Sequence, residues 1–194
     1  MSNASSGLQR ACALNLIKAI DSYQHSLSTG DLREGLLQAT LPLLHSPDLF
    51  KLGTKRPGNH IDNSKYLYYD GQVSLTLDEF PNGKQIPPHD HGVWEALVLC
   101  SGALQHTVYE RVDDGSVEGR AELRVVEDTT MDIGQIALVV PPGDIHSFKA
   151  LSENTFVMTI VGGEYAHRRH YYDTANNTFV VRAPRALRES GALA

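Results

Sequence analysis

Two segments of this chain carry metal-ligating side chains at regular spacing. The first reads Gly83-x5-His89-x-His91-x3-Glu95-x6-Gly102, and the second reads Pro141-Pro142-Gly143-x2-His146. Imidazoles and a carboxylate gathered in this way suit a mononuclear transition-metal ion. On an extended strand, residues two apart share a face. His89, His91 and Glu95 are all odd-numbered, so one continuous strand is expected to point all three the same way. Pro87 and Pro88 limit ladder pairing just before them and mark a strand start. An isolated His-x-His is as readily a polar loop. A further histidine, His146, follows a Pro-Gly turn downstream, and that supplies the expected third nitrogen ligand.

The elements that must position these groups change character along the chain. Ala13, Leu16, Ile17 and Ile20 follow helical spacing. Ser28-Thr29-Gly30 separates that helix from a second, which Asp31-x-x-Glu34 is expected to open as a capping box, with Leu32, Leu36 and Leu37 as its buried stripe and Pro42 ending or kinking it. Residues 55–64 are rich in Pro, Gly and Asn and read as a loop. From there the period is two. Strands are expected over 66–69, 72–80, 93–100, 103–112, 121–127, 136–140, 145–150, 155–161 and 178–182, with turn residues between many of them. Many short strands at regular spacing predict a sandwich or barrel. The chain divides into a helical segment over 1–64, a barrel over 65–185 and a tail over 186–194.

Bulk properties narrow the function classes. The 194 residues suffice for one domain with a sizeable core. A net charge of −6 gives no electrostatic reason for nucleic acid or an anionic membrane as partner. Cys12 and Cys100 form no Cys-x-x-Cys, which argues against a thiolate zinc site and suits a reducing cytoplasm. No apolar run approaches the ~18–20 residues of a membrane span. The stretch from Ala11 to Ile20 contains Asn15 and Lys18 at helical spacing, unlike a signal-peptide core.

The two motifs together resemble those of the cupin superfamily, G-x5-HxH-x3,4-E-x6-G and G-x5-PxG-x2-H-x3-N. Gly83–Gly102 matches the first in full. The second has one extra residue between Gly134 and Pro141, and Ala150 stands where asparagine is usual. The resemblance implies a mainly β fold, the double-stranded β-helix or jelly-roll barrel with N-terminal α-helices, and His89, His91 and His146 as metal ligands. A closer resemblance, to the cysteine-dioxygenase-like thiol dioxygenases, is carried by the segment His89 to Trp94, by Tyr109-Glu110-Arg111, and by the segment Pro141 to Ser147. That family holds Fe(II) with three histidines and adds both atoms of O2 to a thiolate sulfur. Fe(II) is thus the expected cofactor, with Mn, Ni or Zn as alternatives at a histidine-rich site. The expected partners are O2 and a small anionic substrate such as a thiol acid. Cupin resemblance also implies pairing into a homodimer through barrel edges.

Three positions depart from that family. Glu95 stands where it carries cysteine or a small residue, so a fourth ligand is an alternative to a carboxylate that only hydrogen-bonds a ligand histidine. Its Ser-x-His-x-Tyr relay would fall on Val157, Thr159 and Val161. Its substrate-binding position on the first barrel strand would fall near Tyr68, which leaves Arg168 and Arg169 as candidates for a substrate carboxylate or as a solvated surface pair. Glu95, Arg168 and Tyr109 are the expected catalytic groups. Tyr109 and Arg111 are candidates for a polar cluster at the barrel mouth, with a cross-strand pair as the other reading. His106 on the next strand reads as a satisfied structural histidine, with a cavity-facing group as the other reading, Trp94 as core, and His167, His170, Tyr171 and Tyr172 as residues shaping the cavity rim. The alternatives to thiol oxidation are a different metal-dependent cupin enzyme with three histidines and one glutamate (a C–C cleaving dioxygenase or an isomerase) and a non-catalytic small-molecule-binding barrel.

Overall fold

A computed structural model describes residues 3–26, 28–55 and 63–183. The proposed tail over 186–194 and most of the loop read over 55–64 lie outside these. Two helices, α1 (Asn3–Ser26) and α2 (Thr29–Leu44), precede one turn of 3-10 helix at Leu49–Lys51 and twelve strands. The strands are β1 (Thr54–Lys55), β2 (Asn63–Tyr69), β3 (Ser74–Phe80), β4 (Gln85–His89), β5 (Glu95–Ser101), β6 (Leu104–Arg111), β7 (Leu123–Met131), β8 (Ile136–Val139), β9 (His146–Ala150), β10 (Thr155–Val161), β11 (Arg169–Asp173) and β12 (Thr178–Arg182).

The cap of α2 lies three residues before the expected one. Asp31 N donates to Ser28 Oγ at 3.2 Å and Ser28 N donates to Asp31 Oδ2 at 3.1 Å, a reciprocal box on Ser28. Donation from the Ser28 hydroxyl at 2.8 Å, and then from its backbone N–H, holds the Asp31 carboxyl below its ordinary pKa. Pro42 lies inside the last turn of α2, and the helix runs on to Leu44. In α1 the buried stripe is Cys12, Ala13, Leu16 and Ile20, while Ile17 is exposed.

The strands form two antiparallel six-stranded sheets, ordered β1-β2-β3-β10-β5-β8 and β12-β11-β4-β9-β6-β7. From β3 to β6, and again from β7 to β11, successive strands fall in alternate sheets. This crossing closes the two sheets on one another as a double-stranded β-helix. The first sheet is covered on both faces. Leu75, Leu77, Ala96, Val98, Met158 and Ile160 pack with Leu16, Leu32, Leu36 and Leu43 of the helices. Its other face sets Phe80, Leu97, Leu99 and Val157 against Leu104, Phe148 and Ala150 of the second sheet. Two-sided burial explains why β5 reads as an unbroken apolar run after Glu95 instead of alternating. Each fully buried leucine here contributes ~1.5–3 kcal/mol, so the barrel interior is a rigid platform for polar groups. Among the described residues no helix is long and apolar enough to cross a membrane.

Candidate metal centre

The histidine pair does not lie on one strand. β4 ends at His89, β5 begins at Glu95, and a turn joins them. Gly92 makes that turn with φ +70°, and a Cβ there would stand 3.1 Å from Ala166 Cβ. His91 therefore points inward because the turn folds back, not through strand parity. Asp144 holds the turn in place. Its Oδ2 accepts from His91 N at 2.9 Å and from Gly92 N at 2.8 Å, and the carboxylate is buried. The Pro141–Gly143 segment thus supplies two parts of the site, Asp144 for the turn and His146 for the centre.

His89 on β4 and His146 on β9 are cross-strand partners. Ligand nitrogens of His89, His91 and His146 all lie within 4.8 Å of one another, and all three residues are buried. His89 Nε2 and His91 Nε2 are 2.7 Å apart. Glu95 reaches the same point from β5, with Oε1 3.6 Å from His146 Nε2 and Oε2 3.7 Å from His91 Nε2. His89 Nδ1 donates to Pro87 O at 2.9 Å, which puts the ring's lone pair on Nε2. His146 Nε2 and His91 Nδ1 are buried with no hydrogen-bond partner among the described residues. Burial, and then the positive charge of neighbouring imidazoles and Arg169, push both His91 and His146 well below the ordinary histidine pKa. Such rings are neutral at physiological pH, the state that binds metals.

Arg169, not Arg168, belongs to the site. Arg168 is exposed, whereas β11 buries Arg169 with its guanidinium carbon 4.8 Å from the Tyr165 ring centre and 5.7 Å from that of Tyr171. Its Nε has no hydrogen-bond partner among the described residues. β11 was not foreseen as a strand, because Arg169-His170-Tyr171-Tyr172-Asp173 alternates too weakly. Its pairing with β4 at Tyr171 and His89 stacks those two rings at 5.8 Å. His170 and Tyr172 meet the carboxylate of Asp90 at 2.6 and 3.2 Å; His167 is exposed. Desolvation, and then Asp90, raise the Tyr172 phenol above its ordinary pKa.

One neighbour of the centre, Tyr165, was missed. Tyr165 donates to Glu95 Oε2 at 2.5 Å, and its ring lies 5.0 Å from that of His91. It belongs to the segment between β10 and β11, which starts where Gly162 packs so closely on Trp94 that a Cβ would overlap the indole. His106, read as structural or as facing the cavity, is buried and hydrogen-bonded to the centre, with its Nε2 2.9 Å from His146 Nδ1. Its inward parity from β6 was the available signal.

Tyr109 lies elsewhere. Val108 is the partner of His146, so the next residue points to the other face of the sheet. The Tyr109 hydroxyl pairs with Ser147 Oγ at 3.1 Å, and the ring joins a small cluster with Ala121, Ile145 and Tyr172. Arg111 forks onto Asp113 at 2.7 Å instead of joining a polar cluster with Tyr109. Thr159, at the central relay position, donates to the buried Asp78 carboxylate, which Ser64 and Thr76 also approach. Tyr68 donates to Asp70.

No protein-family model matches the chain, and no curated protein does. Among solved structures, a cupin of the RmlC-like kind from Ralstonia eutropha shares 17% identity at TM-score 0.42, over 66% of this chain and 69% of that one. A conserved protein with a double-stranded β-helix domain from Klebsiella pneumoniae shares 15% identity at TM-score 0.40, over 66% and 85%. A hydroquinone 1,2-dioxygenase solved with Cd2+ and 4-hydroxybenzonitrile shares 10% identity at TM-score 0.40, over 56% and 66%. The strand order and the alternation of strands between sheets carry the assignment of architecture.

Proposed function

We propose that this chain is an O2-dependent metalloenzyme of the thiol dioxygenase type, acting on a small anionic thiol. One observation carries the reading: three buried imidazoles bring ring nitrogens to one point beside a buried guanidinium. The donor set fits a borderline divalent ion, because the inward His146 nitrogen is buried without a hydrogen-bond partner among the described residues. His89, His91 and His146 would hold it, and Fe(II) is the ion assigned, with Mn, Ni or Zn able to occupy the same nitrogens. Bound there, Fe(II) supplies the activation of O2.

The chain's own residues supply the rest. Arg169, clamped between Tyr165 and Tyr171, holds a substrate carboxylate and selects for negative charge. Tyr165 fixes the Glu95 carboxylate by a hydrogen bond and covers His91. The overall conversion is thiolate plus O2 to sulfinate. Both oxygen atoms end on sulfur, sulfur loses four electrons to O2, and no outside reductant is needed.

A second reading has its own support. Glu95 stands 3.6 and 3.7 Å from two of the inward nitrogens, a position from which it can become a fourth ligand. A carboxylate ligand lowers the net charge of the centre and takes a position a substrate would use. That favours C–C cleavage or isomerisation of a substrate with a single donor atom.

Oxygen uptake by the iron-loaded protein separates the readings. Consumption is expected with 3-mercaptopropionate and not with cysteamine, which lacks the carboxylate; cysteine lies between them. Silence with all three thiols overturns thiol oxidation and leaves the four-ligand reading.

A further inference from the structure

The structure assigns to His106 a role that rests on the metal reading above and extends it. We propose that His106 is a positioning residue that sets the tautomer of His146, and that this choice governs whether the centre accepts a cation.

The inward atom of His146 is Nε2, which faces Glu95 Oε1 at 3.6 Å. A neutral imidazole that gives Nε2 to a metal carries its proton on Nδ1. That N–H has one acceptor in place, Nε2 of His106 at 2.9 Å. His106 must then carry its own proton on Nδ1. The opposite arrangement, with His106 donating from Nε2 to His146 Nδ1, puts a proton on His146 Nε2 and turns an N–H into the metal position. The two rings thus share two alternative proton arrangements, of which only one leaves a ligand lone pair. Ligand histidines are commonly held by carboxylates or backbone carbonyls, which only accept. An imidazole partner can do either, so its own surroundings decide.

Those surroundings are a second cavity. His106 lines a space of about 210 Å³ between β7 and β8, whose other walls include Arg33 of α2, Glu127, Thr129 and Gln135. Arg33 is tied there by its Nε to Ile136 O at 3.0 Å. The Glu127 carboxylate in this space, to which Thr129 donates at 3.2 Å, favours a donor on the outward side of His106, hence Nδ1–H outward and Nε2 able to accept from His146. The cavity is large enough to admit a small heterocycle to this position when the side chain is removed.

Competition titration of Co(II) against a chelator tests the role in the full chain, with ¹⁵N-resolved NMR of the Zn(II) form reporting the His146 tautomer. His106→Leu is expected to bind Co(II) about 10–100-fold more weakly than wild type. His106→Gln, whose side-chain oxygen accepts, is expected to retain most of the affinity. Imidazole added to His106→Ala is expected to restore it through the cavity, with no gain in wild type. Co(II) binding by His106→Leu within about twofold of wild type, against the loss expected for such partners, overturns the role. If His106→Leu does not fold, an absence of imidazole rescue in His106→Ala overturns it instead. Wild type that fails to bind Co(II) overturns the metal reading itself, an outcome distinct from the other two.

Discussion

Replacing Asp144 with alanine tests the claim that a turn, and not a strand, places His91. Asp144 Oδ2 accepts two backbone N–H groups, from His91 at 2.9 Å and Gly92 at 2.8 Å, and the carboxylate is buried. Removing the acceptor strands both donors. A hydrogen bond to a charged group is worth ~1.5–3 kcal/mol, and an unsatisfied buried donor costs ~1–3 kcal/mol. The Gly92 amide is only partly buried, so water can replace its partner; the His91 amide is buried and loses its partner outright. The net cost is therefore about 3 kcal/mol, the lower end of the ~3–6 kcal/mol for two such bonds. For a domain of this length that lowers Tm by about 6–12 °C. Asp144→Asn retains an oxygen acceptor and is expected to lose only about 1 kcal/mol. The measurement is thermal unfolding of chelator-treated protein, paired with Co(II) titration of the folded variants. Both readouts matter, because a released turn frees His91 as well as destabilising the fold. Unchanged Tm together with unchanged Co(II) affinity in Asp144→Ala refutes the role assigned to this clamp.

The double variant His89→Ala/His146→Ala is expected to take metal content, measured by elemental analysis, from near one ion per chain to none while the barrel still folds. Arg169→Gln is expected to raise KM for 3-mercaptopropionate about 10–100-fold, the value of a charged hydrogen bond, whereas Arg168→Gln leaves it unchanged; equal effects would return the pair to the surface. Stability of the metal-free protein is expected to fall on acidification. Burial lowers the His106 pKa from 6.5 to about 4, and His91 and His146 move the same way. The unfolded chain therefore binds more protons than the folded one below the ordinary histidine pKa. The stabilisation is complete above pH 6.5 and drains away as pH falls toward 4. His106 alone accounts for about 3 kcal/mol of this. Urea midpoints that stay constant across that window would refute the neutral, buried state of these rings.

The class of fold was legible because period-two alternation and turn residues are local signals. The same holds for the convergence of His89, His91 and His146, whose spacing encodes it. The means of convergence was not legible. Parity arguments assume one unbroken strand, and Gly92 breaks it. Nothing nearby in sequence shows that Asp144, more than fifty residues away, closes that turn. Arg168 and Arg169 are adjacent and identical in type, so only the registration of β11 on β4 decides which faces inward. Tyr109 failed for the opposite reason. It flanks an inward position on β6, and one residue of slip moves a side chain from the cavity to the far face. The cap of α2 moved because Ser28 and Glu34 compete as the end of the box, and the serine hydroxyl reaches the Asp31 amide.

Charge at the centre bears most directly on which chemistry the fold carries. Glu95 adds one negative charge within 4 Å of two inward nitrogens, and Arg169 adds one positive charge that acts beside burial and neighbouring imidazoles in depressing two histidines. These opposite charges offset one another, so the electrostatic demand for an anionic substrate comes from the bound cation and from where Arg169 points. Tyr165 touches both sides of that balance, through its hydroxyl on Glu95 and its ring under the guanidinium. Removing only the hydroxyl, in Tyr165→Phe, leaves the cation–π contact and releases the carboxylate. If Glu95 is held off the cation by Tyr165, the Co(II) visible spectrum of this variant shifts toward higher coordination and thiol oxidation falls. An unchanged spectrum means that the tyrosine does not decide how Glu95 engages, and the three-histidine centre then stands independently of it.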